Sequence, residues 1–156
     1  MRIVVGQGSC GIAAGAAKVY SAIEALVGSS AELTITGCIG MCFLEPIVDI
    51  YDGDSLVKRL VKVQPSDAEK IIDFVNGNKI AVDDIEITDD DKAFLEKQTR
   101  IALRHCGIIN PEKIEEYVAD DGYKALEKVL NTMTPEDVIE EIKLSGLAGR
   151  GGAGFP

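Results

Sequence analysis

The sequence predicts an α/β fold in its first half, followed by a small helical segment and a glycine-rich C-terminal tail. Three observations predict the first half. A short β-branched run opens the chain, an Ala-rich helical stretch separates it from the next run, and an Asp-Gly pair joins the last two runs. The 156 residues suit one ordinary domain or two small ones. With 46% hydrophobic residues, the chain can bury a core without disulfide bonds.

The elements of residues 1–77 follow the order β-α-β-β-α. Strands are predicted at 2–5, 32–36, 47–51 and 57–63, and helices at 10–27 and from the capping-box sequence at 66–69 to Asn76-Gly77. The first β-α-β must be a right-handed crossover between parallel neighbours. Asp52-Gly53 is a hairpin signal, which predicts that the last two strands pair antiparallel. This order is typical of a thioredoxin-like domain.

The second half is predicted to be helical after a linker. Residues 78–90 are rich in aspartate and predict an acidic, solvated linker, and residues 91–156 form the helical part. Its start and stop signals are, in chain order, Thr88 for a helix through about His105, Asn110-Pro111, Asp121-Gly122, Thr134-Pro135 and Gly146.

The charge balance disfavours several classes of function. Sixteen basic residues against 26 acidic ones give a net charge of −10, which repels phosphate backbones and so disfavours nucleic-acid binding. The same charge suits docking onto a basic protein partner. No apolar run approaches the roughly 18 residues that span a bilayer, and the N-terminus lacks the order of a signal peptide. The sequence therefore predicts a cytoplasmic protein without a membrane span.

Three of the four cysteines are expected to meet at one edge of the small domain. Cys10 lies where the first strand gives way to the first helix, and Cys38 and Cys42 form a C-x3-C pair just after the second strand. The carboxyl ends of parallel strands share one edge of a sheet. Iron–sulfur clusters are held by cysteine thiolates, usually four. Gly37 and Gly40 let backbone amides approach cluster sulfurs.

Other interpretations of the cysteines stay open at this point. Zinc prefers a C-x2-C pair with a fourth Cys or His, and the single histidine, His105, is distant in sequence. A redox disulfide between Cys38 and Cys42 would make a thiol oxidoreductase, although the usual active spacing is C-x-x-C. The thiols could also be simply buried. For Cys106 and its neighbour His105, we expect structural roles.

A glycine-rich segment closes the sequence. Its residues could form a phosphate-cradling loop, because glycines permit close backbone approach and consecutive amides make an anion nest: Gly149, Arg150, Gly151, Gly152 and Gly154. The loop follows a helix and not a strand, so it is not a Rossmann fingerprint.

These motifs together resemble a known family. QTRIALRHCG at 98–107, DGYKAL at 121–126 and SGLAGRGGAGFP at 145–156 resemble the flavin-bearing, NADH-binding subunit of respiratory complex I and its relatives in soluble NAD-dependent and electron-bifurcating hydrogenases. GSCGIAAG at 8–15 and GCIGMCFLEP at 37–46 look like the thioredoxin-like [2Fe–2S] domain that precedes the flavin domain in those relatives.

The resemblance implies an electron-transfer module. Cys10, Cys38 and Cys42 would hold the [2Fe–2S] cluster, and the glycine-rich loop would contact FMN and NAD(H) phosphates in the full-length parent. Residues 91–156 would be the N-terminal portion of a truncated flavin domain. The chain would be an N-terminal fragment without catalytic residues of its own, inactive alone, whose partners are other subunits of a multi-subunit oxidoreductase.

Two positions depart from the family pattern. The family uses C-x4-C before its C-x3-C pair, which places Val5 where the first cysteine is expected, so a cluster needs Ser9, water, a partner residue or an unusual site as its fourth ligand. Ala148 replaces a common arginine, which weakens a phosphate contact there. The Val5 substitution supports an alternative function, a cluster-free thioredoxin-like module that docks partner subunits.

Overall fold

A computed structural model describes residues 1–79 and 81–155, so Ile80 of the predicted linker and Pro156 of the tail lie outside the described residues. The contacts divide the chain into two compact units, residues 1–113 and 114–156. The strands are β1 (Arg2–Gly6), β2 (Glu32–Thr36), β3 (Val48–Asp52) and β4 (Ser55–Leu60). The helices are α1 (Ser9–Ala14), α2 (Ala16–Val27), α3 (Ala68–Val75), α4 (Asp89–Glu96), α5 (Ile114–Ala119), α6 (Lys124–Thr132) and α7 (Pro135–Ser145).

The four strands form one mixed sheet in the order β2-β1-β3-β4. β1 pairs parallel with β2 and antiparallel with β3, and β3 pairs antiparallel with β4. The parallel crossover and the antiparallel hairpin are therefore as the sequence predicts. With α2 between the parallel strands and α3 after the hairpin, the first unit has the predicted β-α-β-β-α order, and the predicted α/β, thioredoxin-like fold class is confirmed.

The hydrophobic core lies between the sheet and α2 and α3. Alternate residues of β1 and β3 point into it, because side chains on a strand alternate between its two faces. Its members include Ile3, Val5, Val19, Ile23, Val48, Ile50, Leu60, Ile71 and Phe74. Each such side chain stabilises the fold by roughly 1.5–3 kcal/mol when fully buried.

The opposite face of the sheet carries an ion pair. Asp49 and Arg59 are register partners on β3 and β4, and the guanidinium donates to both carboxylate oxygens at 2.8 and 2.7 Å. The Asp49 side chain is 3% exposed and that of Arg59 17%. Burial raises the pKa of Asp49, although its bonds with Arg59 act in the opposite direction.

Segments from the second half of the first unit lie along both outer strands. At the C-terminal end of β4, the Ile87 amide donates to the Arg59 carbonyl, and the Val61 amide to the Ile85 carbonyl, each at 2.9 Å. Along β2, the Thr36 hydroxyl donates to the carbonyl of Ile109 at 2.9 Å. Within the segment expected to be a linker, Val82 and Ile87 are buried with residues of the first unit.

Several predicted boundaries are wrong for local reasons. The stretch 10–27 is two helices, because Gly15 takes a left-handed φ of 104° between them. The hairpin loop is Gly53-Asp54 and not Asp52-Gly53, with φ 56° at Gly53, as a glycine-first two-residue turn requires. The capping box before α3 is formed by Gln64 and Asp67 and not by Ser66 and Glu69, because the Gln64 amide donates to the Asp67 carboxylate at 2.8 Å.

The helix caps of the second half are partly as predicted. Thr88 accepts from the Asp91 amide and caps α4, but that helix ends at Glu96 and not near His105. Asn110 accepts from the Glu112 amide at 2.9 Å in a turn, and the next helix begins only at Ile114. The predicted separation of two helices at 121–122, the Thr134-Pro135 cap of α7 and the Gly146 C-cap are confirmed.

Candidate metal centre

Cys10 and the loop of Cys38 are brought together by a close approach at Gly8. Cys10 is the second residue of α1, directly after β1 and its turn. A Cβ added at Gly8 would lie 2.8 Å from the Cβ of Cys38 and 2.9 Å from its amide nitrogen. Real Cβ atoms do not approach this closely, so only glycine lets the two segments meet here.

The second cysteine lies in the loop after β2, and the third begins the short 3-10 helix, Cys42–Leu44, that follows this loop. Their Sγ atoms lie 3.7 Å apart. The Gly40 amide donates to the Cys38 Sγ at 3.2 Å, and Gly40 adopts a φ of 89°. The expected role of Gly40 in directing an amide at sulfur is therefore seen for this thiol.

The three predicted metal-ligating residues converge. The Sγ atoms of Cys10, Cys38 and Cys42 all lie within 4.8 Å of one another, and all three are free thiols. Burial, followed by hydrogen bonds with the two neighbouring thiols, raises the pKa of Cys10 to about 12. A metal ion bound here would have to displace that proton, because metals bind the thiolate.

Sequence reasoning missed a fourth polar group, Glu45. Glu45 is buried, with 8% of its surface exposed. The Cys10 Sγ donates to Oε1 at 3.7 Å, and the Ile47 amide donates to Oε2 at 2.9 Å. Burial raises the pKa of Glu45, whereas those two hydrogen bonds lower it. The available signal was an acidic residue in an otherwise apolar run, 43–47, directly after the C-x3-C pair.

The other positions discussed from the sequence do not belong to the three-thiol group. Val5 is fully buried in the hydrophobic core and offers no ligand atom. Ser9 is exposed at the first residue of α1. Cys106 lies in the segment that packs on the cysteine loop: Arg100 donates to the carbonyl oxygens of Cys106 and Ile39.

The glycine-rich loop belongs to the second unit and follows α7. The Gly154 amide donates to the Gly151 carbonyl at 3.0 Å, so the segment forms a turn, and Arg150 is exposed. Gly149 to Gly154 remain predicted phosphate contacts. Among the helices within residues 1–79 and 81–155, each is too short or too polar to cross a membrane.

Curated relatives match short parts of the chain. The NADP-reducing hydrogenase subunit HndC of Solidesulfovibrio fructosivorans is 62% identical over 60 residues, which is 38% of this chain and 12% of that protein. An NADH-quinone oxidoreductase subunit of Aquifex aeolicus is 43% identical over 65 residues, 42% of this chain and 15% of that protein. The corresponding NADH-quinone oxidoreductase subunit of Buchnera aphidicola subsp. Baizongia pistaciae is 67% identical over 42 residues, which is 27% of this chain and 10% of that protein.

The resemblance stated from the sequence is confirmed by these relatives. The chain spans only about an eighth of the HndC length and matches less than half of its own residues. No family model matches. A solved thioredoxin-like [2Fe–2S] ferredoxin from Aquifex aeolicus is similar at 19% identity with a TM-score of 0.47, covering 56% of this chain and 95% of the ferredoxin.

Proposed function

We propose that the chain is an electron-transfer module, the N-terminal part of a flavoprotein subunit in a multi-subunit NAD(P)H:acceptor oxidoreductase. Cys10, Cys38 and Cys42 hold a [2Fe–2S] cluster in this proposal. The observation that carries it is the convergence of three thiols, from two segments distant in sequence, within 4.8 Å of one another. Thiolates are the ordinary ligands of iron–sulfur clusters, and hydrogen bonds to the sulfurs, such as that from the Gly40 amide, tune the reduction potential.

The surface of the second unit supports its assignment to a larger domain. It leaves large apolar side chains exposed, among them Leu130 at 75% and Ile139 at 55% on its helices, and Leu147 at 67% just after α7. Ile139 and Leu147 line the same surface cavity, and a contiguous exposed apolar surface is typical of an interface. We therefore assign residues 1–77 to a thioredoxin-like domain, 78–90 to a connection, and 91–156 to a flavin- and NAD(H)-binding domain. In this proposal the glycine-rich loop, 149–154, contacts the phosphates of the cofactors. A cytoplasmic location belongs to the same proposal.

The cluster is tested on the chain itself. Anaerobically reconstituted protein is expected to contain about two irons and two acid-labile sulfides per chain, with an EPR signal after dithionite reduction. Cys38→Ser is expected to lose most of this iron. Cys106→Ser, the matched control outside the three-thiol group, is expected to keep it. One metal per chain without labile sulfide, or no metal after reconstitution, contradicts the proposal.

A second candidate function rests on Val5. Because this buried valine stands where the family pattern has a cysteine, the module could dock partner subunits without a cluster, using the net charge of −10. Iron-free protein that captures the partner subunits equally well before and after Cys38→Ser would favour docking. Capture that is lost in variants unable to take up iron would favour electron transfer.

A further inference from the structure

We propose that Glu45 supplies, through Oε1, the fourth ligand of the cluster, in place of the cysteine that the sequence lacks at position 5. This inference rests on the proposed function, since it names a ligand at the same site. A cysteine at position 5 would approach the three thiols from β1. Glu45 approaches them instead from the segment after the C-x3-C pair, and it contacts Cys10 although the two residues are 35 positions apart in sequence.

The Glu45 carboxylate is fixed with one oxygen toward the thiols. Oε2 accepts from the Ile47 amide at 2.9 Å, while Oε1 faces the Cys10 Sγ at 3.7 Å. A Cβ added at Gly6 would lie 3.3 Å from Oε2, and one at Gly11 would lie 3.1 Å from it. The carboxylate therefore occupies a narrow space between the end of β1 and α1 that glycines leave open. Its orientation is set before any metal arrives.

Two of the donor–donor distances have the length that a shared metal ion requires. In a tetrahedral site with metal–sulfur bonds of about 2.3 Å, two sulfurs lie about 3.8 Å apart, and a sulfur and a carboxylate oxygen about 3.5 Å apart. The Cys38 and Cys42 Sγ atoms are 3.7 Å apart, and the Cys10 Sγ and Glu45 Oε1 are also 3.7 Å apart. Each pair thus has the spacing that two ligands of one metal ion require.

The chemistry of the site favours the same arrangement. A carboxylate that is largely removed from water requires hydrogen bonds or a cation to balance its charge. A thiol is a weak hydrogen-bond donor, so Cys10 compensates Glu45 poorly. Ionised thiolates and a carboxylate around two irons would replace that weak contact with metal bonds.

Two variants of Glu45 test the inference in the full chain after anaerobic reconstitution. Glu45→Gln keeps the size and can still accept from the Ile47 amide, and we expect it to bind iron at least tenfold more weakly in competition with a chelator. Glu45→Cys is expected to keep two irons and two sulfides, with changed EPR g-values and visible absorption, because a sulfur ligand replaces an oxygen ligand. Glu86→Gln removes a partly buried carboxylate outside the group and is expected to match the wild type.

The outcomes test the role of Glu45 separately from the presence of the cluster. Wild-type protein without iron and labile sulfide overturns the proposed function, whatever the variants do. Wild-type protein with a cluster, and Glu45→Gln with the same iron affinity and EPR signal, overturns the role of Glu45 alone. Circular dichroism of the metal-free variants reports folding. If Glu45→Gln does not fold, Glu45→Cys tests the inference instead. EPR and visible spectra of Glu45→Cys identical to those of the wild type would overturn it.

Discussion

Gly8→Ala is expected to separate the two cysteine segments. Gly8 has φ −62° and ψ 168°, a conformation open to any residue, so the substitution acts through space and not through backbone strain. The new methyl carbon would lie 2.8 Å from the Cys38 Cβ, whereas carbon atoms pack best at about 3.5–4.0 Å. The backbone of one segment must therefore move by about 0.7–1.2 Å.

The energetic effect can be worked out from three contributions. Overpacking of this kind costs about 1–3 kcal/mol. Gly8 is also the N-cap of α1, where alanine is worse than glycine by roughly 0.5 kcal/mol. Alanine also lowers the conformational entropy of the unfolded chain, which stabilises the folded protein by about 0.4–1 kcal/mol. We expect a net loss of about 2 kcal/mol in the free energy of unfolding, which lowers Tm by about 8 °C.

Urea and thermal unfolding of the metal-free protein, together with iron analysis after reconstitution, measure both effects. A displacement of about 1 Å loosens a ligand set enough to weaken binding, so the iron content is expected to fall about twofold or more. Gly37→Ala is the matched control, because its added methyl group meets nothing within 4 Å in the same loop. Equal stability and iron content for Gly8→Ala and Gly37→Ala would refute the reasoning.

Two further predictions follow from charge and burial. Asp49→Asn leaves the Arg59 guanidinium without its carboxylate and is expected to cost about 3 kcal/mol in urea unfolding. Lys70→Ala removes an exposed ion pair with Asp84, and we expect it to change the stability far less than Asp49→Asn does. Equal effects of the two substitutions would contradict the assigned burial. Because the pKa of Cys10 is about 12, only a small fraction of this thiol is ionised at pH 8 in the metal-free protein. The rate of Cys10 alkylation, followed by peptide mass spectrometry, is therefore expected to rise with every pH unit from 8 to 11. A rate that levels off by pH 9 would show that this pKa is not raised.

Local signals predicted two of the three strand pairings in the sheet. An Asp-Gly pair between two β-rich runs gives the hairpin, and the crossover rule gives the parallel pair, without knowledge of distant residues. The same rules brought Cys10 to the edge where Cys38 lies. The position of the Gly53 turn differed by one residue, because that choice depends on cross-strand register and not on turn composition alone.

The remaining features depend on contacts between distant residues. Glu45 contacts Cys10 across 35 positions, and no periodicity or spacing encodes that pair. The helix from Thr88 was expected to continue to about His105, but α4 ends at Glu96 and Arg100 instead donates to the Ile39 carbonyl. Tertiary contacts of this kind override helix propensity, which is a weak preference.

The strands at the two borders of the sheet each bond to chain from beyond residue 77. Residues 85–87 bond to the end of β4, and Ile109 accepts from Thr36 beside β2. An uncovered sheet border offers free amides and carbonyls to another molecule and invites aggregation. We expect these bonds, at residues 85–87 and at Ile109, to reduce pairing of the sheet borders with other molecules. A chain cut after residue 77 would keep all four strands and all three clustered thiols, yet we expect it to form intermolecular sheets as its concentration rises.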